Sequence, residues 1–344
     1  WYRKTFTADK ADEGKCYRID FDGVYMNSTV YINGHELGTR PYGYISFSYD
    51  LTPYIKWGEE NVLAVRVDNA EQPNSRWYSG CGIYRNVWLT KLNPVHVAQW
   101  GAYVTAEEVS KNSARLKICT SLQYDVGTQT EDSVQQADGT CAVLDSEVIP
   151  LADVVLQSRL VDADGNVVGE AVSEAQLTPL APAEVEQEIR LKNPRLWSID
   201  TPYMYKVKSI LKDKQTGEVL DRCHTPTGIR TFRFDAQKGF ILNGKQVKIN
   251  GVCMHHDLGC LGAAVNTRAI ERQLEILKEM GCNGIRCSHN PPAPELLDLC
   301  DRMGFIVMDE TFDMWRKKKT RHDYSRYFNE WHERDLTDLI VRDR

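Results

Sequence analysis

Three short segments bring together residue types that can do chemistry. Met254-His255-His256-Asp257 ends the predicted strand Gln246 to Cys253, and Arg286-Cys287-Ser288-His289-Asn290-Pro291 ends the predicted strand Asn283 to Cys287. Asp309-Glu310 ends Phe305 to Met308, with Asp313 and Trp315 close behind. An imidazole offers one donor and one acceptor, a guanidinium a fixed fork of donors, and a carboxylate acceptors only. A tryptophan adds a large flat apolar face with one polar edge. Residues with helical spacing separate the three runs, so the order reads strand, helix, strand, helix, strand. The reactive groups then recur where parallel strands give way to loops, the end at which a (β/α) barrel builds its active site.

The elements that must hold these groups are legible around them. Asn266 or Thr267 caps a helix with Ile270, Leu274 and Leu277 on one face and a stop at Gly281. A second helix has Pro294 in its first turn, Glu295 favourable to its dipole, and an end at Gly304. Phe305-Ile306-Val307-Met308 is a continuous apolar run, as expected of a parallel strand covered on both faces. A closed barrel takes eight strands and only three are recognisable, so residues 228–344 are read as the start of a TIM barrel.

Upstream the pattern is β throughout. Tyr17, Ile19 and Phe21 alternate with polar residues, Val30-Tyr31-Ile32 runs into Asn33-Gly34, and Leu63, Val65 and Val67 alternate again. Residues 1–93 are predicted to form an all-β jelly-roll sandwich lacking its first strand. Residues 94–227 continue with Leu116 and Ile118, Val154 to Val161 before an Asp164-Gly165 turn, and Val185, Ile189 and Leu191, which predicts an immunoglobulin-like β-sandwich. The polar stretch Asp125 to Asp153 has no period and is read as a long mobile loop.

Composition narrows the class. The chain of 344 residues is 42% hydrophobic and 26% charged, with a net charge of -6, which gives no basic footprint for nucleic acid. No apolar run approaches the roughly 20 residues of a membrane span. The first residue is Trp1 rather than Met, so the true start is read as missing and secretion stays open. Ten scattered cysteines show no zinc or disulfide spacing, and Cys119, Cys287 and Cys300 read as small core thiols, which favours a reducing, cytoplasmic compartment. The run Arg316-Lys317-Lys318-Lys319-Thr320-Arg321 reads as a solvated loop.

Taken in order, several segments resemble glycoside hydrolase family 2, the β-galactosidase/β-glucuronidase family. They are Phe21-Asp22-Gly23-Val24-Tyr25, Tyr31-Ile32-Asn33-Gly34-His35, Tyr42-Gly43-Tyr44 and Gly82-Ile83-Tyr84-Arg85-Asn86-Val87-Trp88-Leu89. Gly228-Ile229-Arg230, Leu242-Asn243-Gly244-Lys245, Ile285 to Pro291 and Asp309-Glu310 complete the set. The resemblance implies retaining cleavage of terminal β-D-galactosides, with two carboxyl groups about 5 Å apart. In the family both are glutamates after the fourth and seventh barrel strands, which places them beyond Arg344. It also implies that His255 and His289 bind sugar hydroxyls and that Arg286 supports the nucleophile, unless Arg286 is a structural ion pair with Asp309 or Glu310. Asn290 lies in the same segment. Asp257 is read as a hydroxyl ligand or a turn cap, Asp313 as a sugar acceptor or a solvated carboxylate, and Trp315 as a pyranose platform or a core residue.

Two departures bear on specificity. Met314 and Arg316 occupy the positions of a Glu-x-His magnesium site found in some relatives, so no metal is expected there, while magnesium or sodium in the complete site stays open. Arg76 stands where several relatives carry an aspartate that reaches the sugar pocket, which keeps β-glucuronidase in view beside β-mannosidase. The expected partner is a carbohydrate substrate rather than nucleic acid or membrane, with a homo-oligomer left open. A non-catalytic carbohydrate-binding or assembly fragment is the alternative from another class.

Overall fold

The computed structural model describes residues 1–125, 151–179 and 181–344. The first sandwich packs a four-stranded antiparallel sheet against a three-stranded one. Tyr2–Thr7, Glu60–Val67, Ser28–Ile32 and His35–Arg40 form the first, and Phe47–Asp50, Cys16–Phe21 and Val87–Leu92 the second. The Asn-Gly hairpin forms as its chemistry requires: Asn33 and Gly34 take φ of 50° and 91°, the left-handed conformations of a primed turn. Phe21, Val30, Ile32, Ile45 and Leu51 fill the core.

The second sandwich pairs a three-stranded sheet (Val95–Glu107, Ser113–Tyr124, Ala183–Lys192) with a four-stranded one (Val167–Leu177, Ala152–Val161, Tyr205–Asp213, Val219–Thr227). Its core is built from Leu116, Ile118, Leu160, Ile189 and Val207, with Leu122, Leu156 and Leu211 in a second cluster. Cys119 corrects the core-thiol expectation. The two-residue period that buries Ile118 and Thr120 turns Cys119 outward, where its thiol meets Glu184 at 3.1 Å. Of the stretch Asp125 to Asp153 read as a loop, residues 126–150 lie outside the described residues, and Ala152 and Asp153 already belong to a strand.

Three parallel strands follow: Gly251–Met254, Gly284–Cys287 and Ile306–Met308. The first starts later than the predicted strand Gln246 to Cys253, because Lys245–Gln246 turns back as a hairpin arm on Gly239–Leu242. Helix α1 (Thr267–Glu279) is capped by Asn266, whose side chain accepts from the Ala269 amide at 3.0 Å, and it buries Ile270 and Leu274. Helix α2 (Pro294–Met303) ends at Gly304, which has φ of 76°. Both pack on Ile285, Cys287 and Phe305. In register, Cys253, Arg286 and Met308 stand side by side on the opposite face.

Helix α3 (Phe328–Asp343) packs onto the first sandwich, while at its end Asp343 hydrogen-bonds Asp309, just past the third strand, and Arg342 donates to the Pro292 carbonyl at 2.9 Å. Its Phe328 and Leu339 join the sandwich core, as do Tyr324 and Ala263. Arg40 spans this junction as a buried ion pair, with Nη2 at 2.6 Å from Asp335 and 2.8 Å from Asp338.

Candidate active site

The parallel register sets the geometry at the strand ends. Arg286 is the third residue of the second strand, and its guanidinium grips Glu310, just past the third strand, in bidentate fashion: Nε–Oε1 2.5 Å and Nη2–Oε2 3.0 Å. His289 stands beside this pair, its Nδ1 at 3.1 Å from Arg286 Nη2 and 3.3 Å from Glu310 Oε2. That nitrogen therefore accepts from the arginine or donates to the carboxylate, and Nε2 has no protein partner among the described residues. His255, past the first strand, has its ring centroid 5.7 Å from that of His289 and makes no hydrogen bond among the described residues. Burial first, and the neighbouring His289 second, hold its pKa below the usual histidine value of 6.5, so its ring is neutral near pH 7. Two imidazoles with unpaired nitrogens thus flank a fixed ion pair, an arrangement suited to exchanging hydrogen bonds with a polyol.

The remaining sequence-predicted residues divide. Asn290 is buried, with Oδ1 accepting from the Tyr42 hydroxyl at 2.7 Å and Nδ2 shielded without a partner. Asp313 is buried too: Oδ1 accepts from Arg76 Nη2 at 2.7 Å and Lys319 Nζ at 2.9 Å, while Oδ2 is shielded and unpaired. It is therefore no solvated loop carboxylate, and Lys319 is no idle member of a solvated basic run. Asp257 accepts from the Gly259 amide at 2.9 Å and caps a turn. Trp315 is 65% exposed and stacks one face on Phe328, with centroids 6.1 Å apart, so it is not a core residue. Neither Asp257 nor Trp315 makes a direct contact with the Arg286 cluster among the described residues. Met314 is a buried apolar side chain.

Sequence reasoning missed Trp77. This half-buried indole comes from the 68–81 loop of the first sandwich, and its ring lies 5.1 Å from His255 and 5.2 Å from His289. Its neighbour Arg76 carries the link to Asp313, so one sandwich loop supplies both a wall of the site and its clamp. The resemblance had pointed to the position of Arg76 on this loop, but nothing in the residue type of Trp77 marks a contact that spans far more than the length of any motif. Arg85 was visible only as a motif residue. It is buried, and its guanidinium donates to the carbonyls of Tyr44, Asp22, Pro292 and Pro291 at 2.7–3.2 Å, which fixes the chain just after Asn290. The adjacent His256 packs its ring on Tyr44 at 4.7 Å and is held far below the ordinary histidine pKa, chiefly by burial and then by Arg85.

Known families share this order of parts. A model described as the sugar binding domain of glycosyl hydrolases family 2 matches residues 1–93, the family 2 model itself matches 105–230, and the family's TIM barrel domain matches 235–335. The chain belongs to glycoside hydrolase family 2. Among the family 2 relatives, it is 64% identical over its whole length to a β-galactosidase of Bacteroides ovatus, of which it covers 38%. It is 38% identical to a putative β-glucuronidase of Formosa agariphila, covering 30% of that protein. The crystal structure of a family 2 member from Bacteroides cellulosilyticus superposes with a TM-score of 0.90 at 40% identity, over all of this chain and 41% of that one. The chain thus spans well under half the length of these relatives. The architecture of a sugar-binding sandwich, an immunoglobulin-like sandwich and part of a TIM barrel is that of the family.

Proposed function

We propose that the protein to which this chain belongs is a retaining glycosidase acting on terminal β-D-galactosides, in which His255, His289, Arg286, Asn290 and Asp313 hold the sugar or support the groups that do. The observation that carries this reading is the Arg286–Glu310 pair flanked by two imidazoles with unpaired nitrogens, at the strand ends of a family 2 barrel segment. An imidazole can both give and take hydroxyl hydrogen bonds through its two ring nitrogens. Both oxygens of Glu310 are taken by Arg286, which suits an orienting group rather than an attacking one. The double displacement needs an attacking carboxylate and a proton-shuttling carboxyl about 5 Å apart, and these roles go to glutamates after the fourth and seventh barrel strands. The positive field of Arg286 favours the ionised form of a carboxylate placed next to it.

Two features favour β-glucuronides as the second reading: Arg76 and Lys319 share the single carboxylate of Asp313, leaving one excess positive charge beside the site, and a relative at 38% identity is named a putative β-glucuronidase. Assaying the whole protein on aryl β-galactoside, β-glucuronide and β-mannoside decides between them. The expected result is turnover of the galactoside with the β-anomer released first in proton NMR. No response to the galactoside refutes the reading.

A further inference from the structure

His255 is aimed by ring packing. An imidazole turns about a broad, roughly two-fold torsion unless something holds it. His289 is tied through Nδ1 to Arg286 at 3.1 Å, whereas His255 makes no hydrogen bond among the described residues. Two rings flank it instead. His289 stands nearly perpendicular to it, with centroids 5.7 Å apart at 80°, and Trp77 lies at 5.1 Å and 37°. Trp77 also meets His289, at 5.2 Å and 60°, so the three rings form a closed cluster.

The indole is itself held from several sides. Arg76, next in the chain, donates to Asp313 Oδ1 at 2.7 Å, and its guanidinium lies 5.8 Å from the indole. The Ser75 hydroxyl donates to the Trp77 carbonyl at 2.6 Å, and the Pro73 carbonyl accepts from the His322 amide at 3.0 Å. The indole N–H faces the hydroxyl of Tyr44, a buried residue whose ring packs on His256 at 4.7 Å. Asp313 and His322 belong to the barrel segment, so the ring keeps its place relative to the strand ends.

We propose that Trp77 is a positioning residue for the two imidazoles: its ring, delivered from the first sandwich, fixes the direction in which His255 and His289 present their nitrogens to the sugar. The proposal rests on the glycosidase reading above. Each tilted ring contact is worth a factor of roughly two to ten, and Trp77 makes two. Packing aims His255 without occupying its nitrogens, so both stay available to hydroxyl groups. The same contact keeps water from one side of that ring. Burial is the chief cause that holds it uncharged, with His289 and Arg286 acting in the same direction and the carboxylates of Asp257 and Asp313 against it. The other charges at the site are paired, Glu310 with Arg286, and Arg76 and Lys319 with Asp313.

The test uses the whole protein with Trp77→Leu, which keeps apolar bulk and removes the ring, and Trp77→Phe, which restores a ring. A crystal structure of Trp77→Leu is expected to show the His255 ring in a second orientation, and one of Trp77→Phe the original orientation. An unmoved His255 in Trp77→Leu overturns the proposal. On an aryl β-galactoside, Trp77→Leu is expected to lower kcat/KM about tenfold at pH 7. The acid limb of its pH profile should also move up toward the ordinary histidine value of 6.5 as water reaches the ring. Trp77→Phe should recover most of the loss together with the wild-type limb. A loss of equal size at every pH, or one that Trp77→Phe does not recover, marks a merely structural role and overturns the proposal. Trp77→Met, a flexible apolar side chain, takes the place of Trp77→Leu if that variant does not fold, with the same outcomes. If the wild type does not turn over the galactoside, the glycosidase reading fails by itself, and the two crystal structures still decide what Trp77 does to His255.

Discussion

Arg40→Met breaks the buried ion pair that fastens helix α3 to the sugar-binding sandwich, and the cost follows from what is left behind. Arg40 is 2% exposed and the Asp335 side chain 0%, so the variant strands a buried carboxylate whose remaining partner is the Tyr324 hydroxyl. Removing one partner of such a pair typically costs about 3–5 kcal/mol. The second partner, Asp338, is 28% exposed and can turn to water, so its share is at most about 1 kcal/mol. The guanidinium also lies between Phe47 and Trp331, at 5.8 and 5.3 Å, a contact the methionine partly replaces. The expected loss is therefore about 3–5 kcal/mol in urea unfolding, whereas Arg115→Met, which removes exposed pairs with Glu107 and Glu188, should cost no more than about 1 kcal/mol. Arg40→Met/Asp335→Leu should recover most of the loss, because no charge is then stranded. Acid gives an independent check. Burial already raises the Asp335 pKa, with Arg40 acting against it, and removing Arg40 raises it further. A folded carboxyl with a raised pKa binds its proton more tightly than the unfolded one, so stability falls as pH climbs from the ordinary carboxylate range through the raised value. The deficit should shrink from about pH 8 to about pH 5. A loss below about 1 kcal/mol, or one that does not shrink in acid, refutes the reasoning.

Three further outcomes are expected. Because the pKa of His255 is held below 6.5, galactose inhibition of the whole protein should be flat above about pH 7 and weaken in acid as the ring loses its acceptor; tighter binding in acid refutes a hydroxyl-accepting role. In a thiol titration with Ellman's reagent, exposed Cys81 and Cys260 should react in the native protein. Cys16 and Cys300, whose thiols burial raises to about 12, should react only after unfolding, and rapid native reaction of either refutes the packing. Arg85→Lys offers three donors from a single point to four carbonyls and should cost about 1–3 kcal/mol in urea unfolding, with a parallel fall in kcat/KM; a change below about 0.5 kcal/mol refutes the bracing role.

The parts of the fold that could be read from the chain are those decided locally. Asn33-Gly34 and Asn243-Gly244 bend because those residues accept positive φ, and Asn266 and Gly304 bound their helices through their own side chain and backbone. What escaped depends on partners. The segment Gln246 to Cys253 does not say that Gln246 pairs backward with Ile241 while Gly251 pairs forward with Gly284. Apolar neighbours made Cys119 look internal, although strand alternation sends it outward. At the site, the histidines and the arginine could be read because each closes a strand. Trp77 could not, since it reaches the same place from another domain, and the resemblance pointed only to its neighbour Arg76 on the 68–81 loop.

The motif segments that carry the family resemblance are far apart in the chain, and the structure gives a physical reason for their keeping company. Tyr42 donates to Asn290, and Tyr84 to the Gly43 carbonyl at 2.8 Å. Gly43 lies so close to Tyr25 that a Cβ there would sit 2.3 Å from the ring. Arg85 then ties Asp22 and Tyr44 to Pro291 and Pro292. Phe21 to Tyr25, Tyr42 to Tyr44, Gly82 to Leu89 and Ile285 to Pro291 are thus pieces of one joint, in which buried donors meet backbone carbonyls that would otherwise lie unpaired. A joint of this kind tolerates little change at any of its members, because each removed donor leaves a buried acceptor without a partner. It also lies directly behind His289 and Asn290, so the sandwich does more than stand beside the barrel segment: it holds the strand-end loop from which the sugar would be gripped.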